Sequence, residues 1–450
     1  MKTNTDPQKI KELLTRGVEN VYPNKSFLEK ALKSGKQLTL YLGIDPTGPS
    51  LHLGHAISLM KLRQFQQLGH KIIMLIGSFT AMIGDPTDKL ATRKPLTREQ
   101  VLLNCKNYQQ QAESILDFSR EETIEVKYNS EWLDKLSLKN VVELASNFTV
   151  QQMLERDMFE KRIFGEIYCP NCGSWYSAKN KLIIDKDGDY SLLNLSKTYL
   201  KCPKCSWKTS ADDVKIKQPR AISLLEFLYP LMQGYDSVAM DVDGEIGGND
   251  QTFNMLIGRT LMKSLMNKEK FVLTNKLLTD TSGKKMGKSE GNMITLDDSA
   301  QDKFGKVMAW TDDMIVSGFE LCTFEPMETV ESAETRLQQG ENPRDLKLEL
   351  AEAIVKIYHG EKEASTAREN FLSMFQKKER PEEIEEFDLA GKTIVEALVK
   401  SKLVSSNSEA RRNIEQGGVK INDQVEKNAA TIVRSGDVIQ KGKRFFIKVK

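Results

Sequence analysis

The sequence predicts an α/β protein built on a parallel sheet, followed by a helical segment and a small basic α+β unit at the C-terminus. Three observations carry that expectation. An apolar run, QLTLYLGI (37–44), leads through an amphipathic stretch into a second run, KIIMLIG (71–77). Strand, helix and strand in that span make a crossover unit, which joins parallel strands. Residues 300–376 read as a helical module. Finally, residues 391–450 carry 13 Lys/Arg against 6 Asp/Glu, so the chain's net +2 divides into +7 there and −5 elsewhere. A basic module on a mildly acidic body suits contact with nucleic acid.

With 450 residues, 39% of them hydrophobic, the chain can bury a sizeable core and divide into domains. Its opening, MKTNTDPQKIKELL, lacks the apolar centre of a signal peptide. No apolar run approaches the ~20 residues that span a bilayer, so a cytoplasmic protein without membrane contact is expected. After the first strand, Ile57, Met60, Phe65 and Leu68 mark a helix that stops at Gly69. The turn IGDPTDK (83–89) then leaves the C-terminal end of the second strand, the ligand-binding edge of doubly wound sheets. Residues 97–163 read as mostly helical, and helical periodicity returns at 219–236. A Gly-Gly turn with a helix falls at 247–266, and a strand with a lysine-rich loop at 271–295. The charged segment KKERPEEIEEFD (377–388) reads as a linker.

Two stretches carry chemistry. In YLGIDPTGPSLHLGH (41–55), His52 and His55 flank Leu-Gly where a strand becomes a helix. A metal pair is disfavoured, because the Glu of a helical H-E-x-x-H site is missing. A helix N-terminus with about half a positive charge suits phosphate instead, with Gly54 admitting close approach. The segment TSGKKMGKSEGN (281–292) supplies Lys285 and Lys288 among glycines, movable cations for charge that builds on phosphorus. It is not a Walker loop.

HLGH (52–55) and KMGKS (285–289) together resemble the two signatures of class I aminoacyl-tRNA synthetases. The resemblance sharpens to the bacterial-type tyrosyl-tRNA synthetases through YLGIDPTGPSLHLGH, IGDPT, YPLMQGYD (229–236) and GEIGGNDQTFN (244–254). It covers nearly the whole chain. It implies a Rossmann-like catalytic domain over 1–299, a helical anticodon-side domain over 300–376, and an S4-type RNA-binding domain over 389–450. The S4-like block is SSNSEARRNIEQGGVKIND (405–423), with Arg411, Arg412 and Lys420 as RNA contacts. The implied reaction joins L-tyrosine to tRNA(Tyr) with ATP and Mg2+, in a homodimer.

The same resemblance assigns site residues. Tyr41 and Asp236 would bond the substrate's phenolic hydroxyl, while Asp85, Tyr229 and Gln233 would hold its ammonium group. Asp45 and Gln251 would line the carboxylate side. Gly43, Gly54, Gly248 and Asp250 would meet the nucleotide. Thr47 and His52 would contact the leaving phosphates, with His55 beside them and Lys285 and Lys288 closing from the loop. Two departures stand out: Gly287 and Glu245 occupy positions where many relatives have serine and glutamine. A tryptophan-specific relative is disfavoured by Tyr41 with Asp236, the GDPT turn and the S4-like tail.

Residues 165–217 interrupt the pattern with Cys169-Pro-Asn-Cys172 and Cys202-Pro-Lys-Cys205. In a reducing compartment two such pairs predict a closed, four-cysteine structural Zn2+ site of the ribbon type. In the resembled family the insertion falls in the segment joining the two halves of the fold, at the dimer interface, and most relatives lack it. Cys105 and Cys322 read as small buried residues, and His70 and His359 carry no evident role.

Overall fold

The computed structural model describes residues 3–84, 96–154, 157–178, 182–184, 190–192, 200–209, 215–217, 222–280, 293–376, 384–401, 403–404, 406–442 and 445–450. Two compact units emerge, Met1–Ala364 and Ser365–Lys450.

The first unit is organised by a six-stranded sheet: β1 (Val18–Tyr22), β2 (Thr39–Ile44), β3 (Lys71–Ile76), β4 (Ile124–Tyr128), β5 (Gly244–Gly248) and β6 (Phe271–Asn275). Their spatial order is β1-β6-β5-β2-β3-β4. All neighbours run parallel except β1, which pairs antiparallel with β6. The expected crossover is present, with helix α1 (Leu53–Gln67) between β2 and β3. β3 is buried along almost its whole length, as a strand covered on both faces must be. From β2 the chain builds outward to β3 and β4, whereas β5 and β6 lie on its other side. The C-terminal ends of β2 and β5 therefore flank a topological switch point, where ligands bind in such sheets.

Residues 97–163 are mostly helical, as expected, but the strand β4, which the sequence reading did not place, lies among them. Ile124, Val126 and Tyr128 alternate with Glu125 and Lys127. That period-2 pattern is short and sits between helices such as Arg98–Cys105 and Leu138–Ala145.

Helix α2 (Leu224–Met240) starts at Ser223, whose hydroxyl and Glu226 form a capping box. It crosses α3 (Thr252–Met266) at glycines. A Cβ on Gly234 would lie 3.0 Å from the backbone nitrogen of Gly258, so only glycine permits this approach. α1 is held at its middle by Lys61, whose buried ammonium donates to the carbonyls of Leu13 and Arg16, both at 2.8 Å, and to Gln64 Oε1. Burial pushes that lysine's pKa down to about 7.

Beyond the sheet come four helices, Ala300–Met308, Met314–Cys322, Met327–Gln338 and Pro343–His359. Helix Glu361–Gln376 follows. The second unit packs helices Ile394–Lys400 and Asn407–Glu415 against a five-stranded mixed sheet. Leu398, Ile414, Val419, Ile439 and Ile447 form its core.

Candidate active site and cysteine cluster

At the switch point, Tyr41 on β2 and Glu245 on β5 are register partners. Tyr41 is fully buried, and its hydroxyl lies 3.0 Å from Ser237 Oγ on α2. Burial, with the charges of Glu245 and Asp236, pushes its phenol pKa well above the ordinary value. Asp236, which precedes Ser237 on α2, accepts from Trp132 Nε1 at 2.8 Å and Asn129 Nδ2 at 3.3 Å. Burial raises this carboxyl's pKa strongly, against those two donors.

A second chain of bonds starts at Asp45, at the end of β2. Its Oδ2 accepts from the Tyr229 hydroxyl and its Oδ1 from Thr80, each at 2.7 Å. Thr80 Oγ1 accepts from Asn129 Nδ2 at 3.0 Å, which links this chain to Asp236. Gly77 leaves room for it, since a Cβ there would lie 1.8 Å from Asp45 Oδ1. On the β5 side, Gln233 donates to Glu245 Oε1 at 3.2 Å. Asn254 donates to Gln233 Oε1 at 2.9 Å and to Gln251 Oε1 at 3.0 Å. The structure thus gathers Tyr41, Asp45, Tyr229, Gln233, Asp236 and Gln251 around the switch point. The sequence reading missed Asn129, Trp132, Thr80 and Ser237; Asn129 directly follows β4, whose five-residue alternation is too short to have placed it at the ligand-binding edge.

A second set of site residues lies at the mouth of α1. His52 is the N-cap, in extended conformation. Its backbone N–H donates to His55 Nδ1 at 3.2 Å, and the two rings stack 3.9 Å apart. Burial, and then the neighbouring His52, hold the His55 pKa well below its ordinary value. A neutral His55 whose Nδ1 accepts must carry its proton on Nε2, so it is a donor there. The approach loop is pinned by side chains: Tyr108 donates to Gly48 O at 2.6 Å and Asn104 to Pro46 O at 2.9 Å. Gly43 is the exposed position of an otherwise buried strand, and Thr47 and Gly54 are half-buried beside it. Gly248 ends β5 two residues before Asp250, whose Oδ1 would be 2.6 Å from a Cβ at that glycine.

Leu53 N donates to Ile294 O at 3.0 Å, Leu296 N donates to Leu51 O at 2.8 Å, and His52 bridges Thr295. The HLGH segment is therefore tied to the chain just after the lysine-rich loop. Asp85, Lys285, Gly287 and Lys288 lie outside the described residues. In the second unit, Arg411 and Arg412 are carried on the helix Asn407–Glu415, both exposed, and Lys420 is half-buried on the strand Val419–Ile421.

The four insertion cysteines converge, with all four sulfurs within 4.8 Å of one another. Cys169 Sγ lies 3.6 Å from Cys205 Sγ, and Cys172 Sγ lies 3.7 Å from Cys202 Sγ. Those gaps exceed a disulfide bond, about 2.05 Å. They match the edge of a tetrahedron of thiolates about 2.3 Å from a central ion. The two knuckles repeat one backbone pattern: Cys169 N donates to Ser174 O and Gly173 N to Cys169 O, while Cys202 N donates to Trp207 O and Ser206 N to Cys202 O, all at 2.9 Å. Gly173 and Ser206 occupy matching left-handed positions, φ 70° and 60°. The cluster can hold a metal ion. Tyr176 is buried beside it, whereas Trp207 is exposed.

The sheet-based fold agrees with comparison to known proteins. The family model "tRNA synthetases class I (W and Y)" matches residues 33–168 and 201–376, and an S4 domain model matches 394–439. The chain belongs to the class I tRNA synthetases. It is 40% identical to the tyrosine–tRNA ligase of Haemophilus influenzae, over 99% of this chain and 98% of that protein. It is 41% identical to that of Mannheimia succiniciproducens, over 97% of each. Within the class, its family is that of the tyrosine–tRNA ligases. A C-terminally truncated mitochondrial tyrosyl-tRNA synthetase of Aspergillus nidulans shares the fold, with a TM-score of 0.58 at 20% identity, over 82% of this chain and 94% of that one. The corresponding enzyme of Coccidioides posadasii gives a TM-score of 0.56 at 22% identity, over 80% and 91%.

Proposed function

We propose that this chain activates L-tyrosine with ATP and then transfers the tyrosyl group to the 3'-terminal ribose of tRNA(Tyr). The observation that carries this is the placement of a hydroxyl-reading pair, Tyr41 and Asp236, and a phosphate-suited helix mouth at one edge of one sheet. In the first step a carboxylate oxygen of tyrosine attacks the α-phosphorus. The bond to the β-phosphate oxygen breaks, leaving tyrosyl-adenylate and pyrophosphate. In the second, the ribose hydroxyl attacks the tyrosyl carbonyl, loses its proton and expels AMP.

The residues act by position and charge rather than as covalent nucleophiles. Tyr41 and Asp236 hold the phenolic hydroxyl, and Asp85, Tyr229 and Gln233 the ammonium group. Asp45 organises this end through Tyr229 and Thr80, and Gln251 lines the carboxylate. Gly43, Gly54, Gly248 and Asp250 admit adenosine, with ATP arriving as its Mg2+ complex. Thr47, His52 and the Nε2–H of His55 face the leaving phosphates, joined by Lys285 and Lys288. A site built around a buried hydroxyl rejects phenylalanine by orders of magnitude, since its polar groups would be stranded.

The cysteine cluster is read as a structural Zn2+ site, its four thiolates leaving no open position for catalysis. Arg411, Arg412 and Lys420 are read as backbone contacts to tRNA. A cytoplasmic homodimer is the proposed form. Leu138, Val142, Val150 and Leu224, each more than half exposed, supply apolar surface for such an interface. Among the described residues no helix is long and apolar enough to cross a membrane. Tyrosine-dependent ATP–pyrophosphate exchange tests the reading. Exchange with tyrosine, and none with tryptophan, is the expected result; the reverse preference sinks it.

A further inference from the structure

Beneath the hydroxyl end lies a buried cation with no part in the mechanism above. Lys270, immediately before β6, is 0% exposed. Its ammonium is paired with Glu245 Oε2 and donates to Ser237 Oγ at 2.7 Å. The room for it is built in: a Cβ on Gly258 would lie 2.7 Å from both Lys270 Nζ and Ser237 Oγ. Glu245 is 2% exposed, and its other oxygen takes the Gln233 amide at 3.2 Å. A buried ion pair of this kind is costly to desolvate and weak ground for stability. Its placement between a specificity tyrosine and a substrate-facing glutamine calls for another role.

The donors allow a definite direction. An ammonium only donates, so Ser237 Oγ accepts from Lys270, and its own proton is available to Tyr41 Oη, 3.0 Å away. Tyr41 then has its O–H to spend on an acceptor. Two compete for it: the substrate's phenolic oxygen and Glu245, the register partner of Tyr41. Lys270 and Gln233 occupy both Glu245 oxygens, which weakens its claim.

We propose that Lys270 is a positioning residue for substrate selection: it neutralises Glu245 and polarises Ser237, so that Tyr41 offers its hydroxyl proton to the phenolic oxygen of tyrosine. The substrate's own proton is then free for Asp236. The inference rests on the reading of Tyr41 as the residue facing the substrate phenol. It adds a cause for that orientation which lies outside the pocket wall.

The test is ATP–pyrophosphate exchange by the full-length protein with tyrosine and with phenylalanine, compared as the ratio of kcat/KM values. In Lys270→Met the unpaired Glu245 carboxylate captures the Tyr41 proton. The ratio should fall by about tenfold or more, chiefly through the KM for tyrosine, as for a lost hydrogen bond to a charged or polar partner. Adding Glu245→Gln removes the competing charge and should return the ratio to within about threefold of wild type. A purely structural lysine would lower the melting temperature and leave the ratio alone. A cooperatively melting Lys270→Met protein with a ratio within about threefold of wild type overturns the proposal. If that variant does not fold, Ser237→Ala decides, because it deletes the relay hydroxyl at almost constant volume. A fall beyond about threefold supports the relay, and an unchanged ratio overturns it. Wild-type protein without tyrosine-dependent exchange would instead sink the catalytic reading, a result distinct from every variant pattern.

Discussion

Around Tyr41, at the end read as facing the substrate hydroxyl, Tyr41, Ser237 and Lys270 are 0% exposed, and Glu245 and Asp236 are 2% and 3% exposed. At the phosphate end, Thr47, His52, Gly54, His55, Gly248 and Asp250 are all half-buried. The first is a closed network whose groups already face one another. The second offers backbone N–H groups, a helix end and His55, whose pKa burial holds low; in the function proposed above its cations come from a separate loop. Discrimination needs dipoles fixed before the substrate arrives, because a group free to turn can satisfy the wrong ligand. Charge that develops only during displacement is better met by cations supplied for that step.

The contrast can be broken at either end. Lys288→Ala should reduce pyrophosphate exchange by about 100- to 1000-fold with the KM for tyrosine unchanged. Loss of tyrosine affinity with turnover intact would show that the two ends are not separate. Asp236→Asn keeps the shape and replaces one carboxyl oxygen by an amide nitrogen that can only donate. It should lower kcat/KM for tyrosine by about 10- to 100-fold and leave the KM for ATP in place; a shifted ATP KM would merge the two ends. Gly77→Ala tests how tightly the network is packed. Its methyl group would occupy the space of Asp45 Oδ1, 1.8 Å away, and should cost about 1–3 kcal/mol in urea unfolding.

Smaller effects sharpen the boundary. His70 is buried behind the sheet, its Nδ1 accepting from Leu38 N at 3.2 Å. Burial lowers its pKa from 6.5 to about 4, so below pH 6.5 the unfolded chain protonates first. Its contribution to stability is complete above pH 6.5 and declines as the pH drops toward 4. Unfolding free energies of wild type and His70→Asn should therefore converge across that window, and parallel curves would contradict the assignment. Cys202→Ser should abolish stoichiometric zinc while leaving pyrophosphate exchange within about twofold, since a closed thiolate site does no chemistry. A large loss of exchange would place the insertion in the catalytic mechanism.

Much of the phosphate end was legible because its signals are local. Strand, turn, histidine pair and helix follow one another in 41–55, and periodicity places each of them. The cysteine cluster was legible across a longer gap, because thiolate pairs at such spacing have few other uses. The hydroxyl end was only partly so. Tyr41 and Asp236 entered through resemblance, and Lys270 not at all. In the run NKEKF it looks like one more solvated lysine, and only the crossing of α2 over α3 buries it. The edge strands were missed for a related reason. β1 has no fully buried position, and β4 alternates over only five residues; tertiary pairing, rather than pattern, makes them strands.

The cysteine insertion enters and leaves the catalytic unit at one place. Strand Glu166–Tyr168 pairs antiparallel with Ile216–Lys217, Ile167 opposite Ile216 and Glu166 opposite Lys217. Its two ends are thus hydrogen-bonded neighbours, and the class I family model passes over residues 169–200. A chain that departs and returns through one paired stem can acquire such a module, or shed it, without rerouting a single strand of the sheet. The stem acts as a splice point, and a short turn joining its two strands would restore an uninterrupted ligase core.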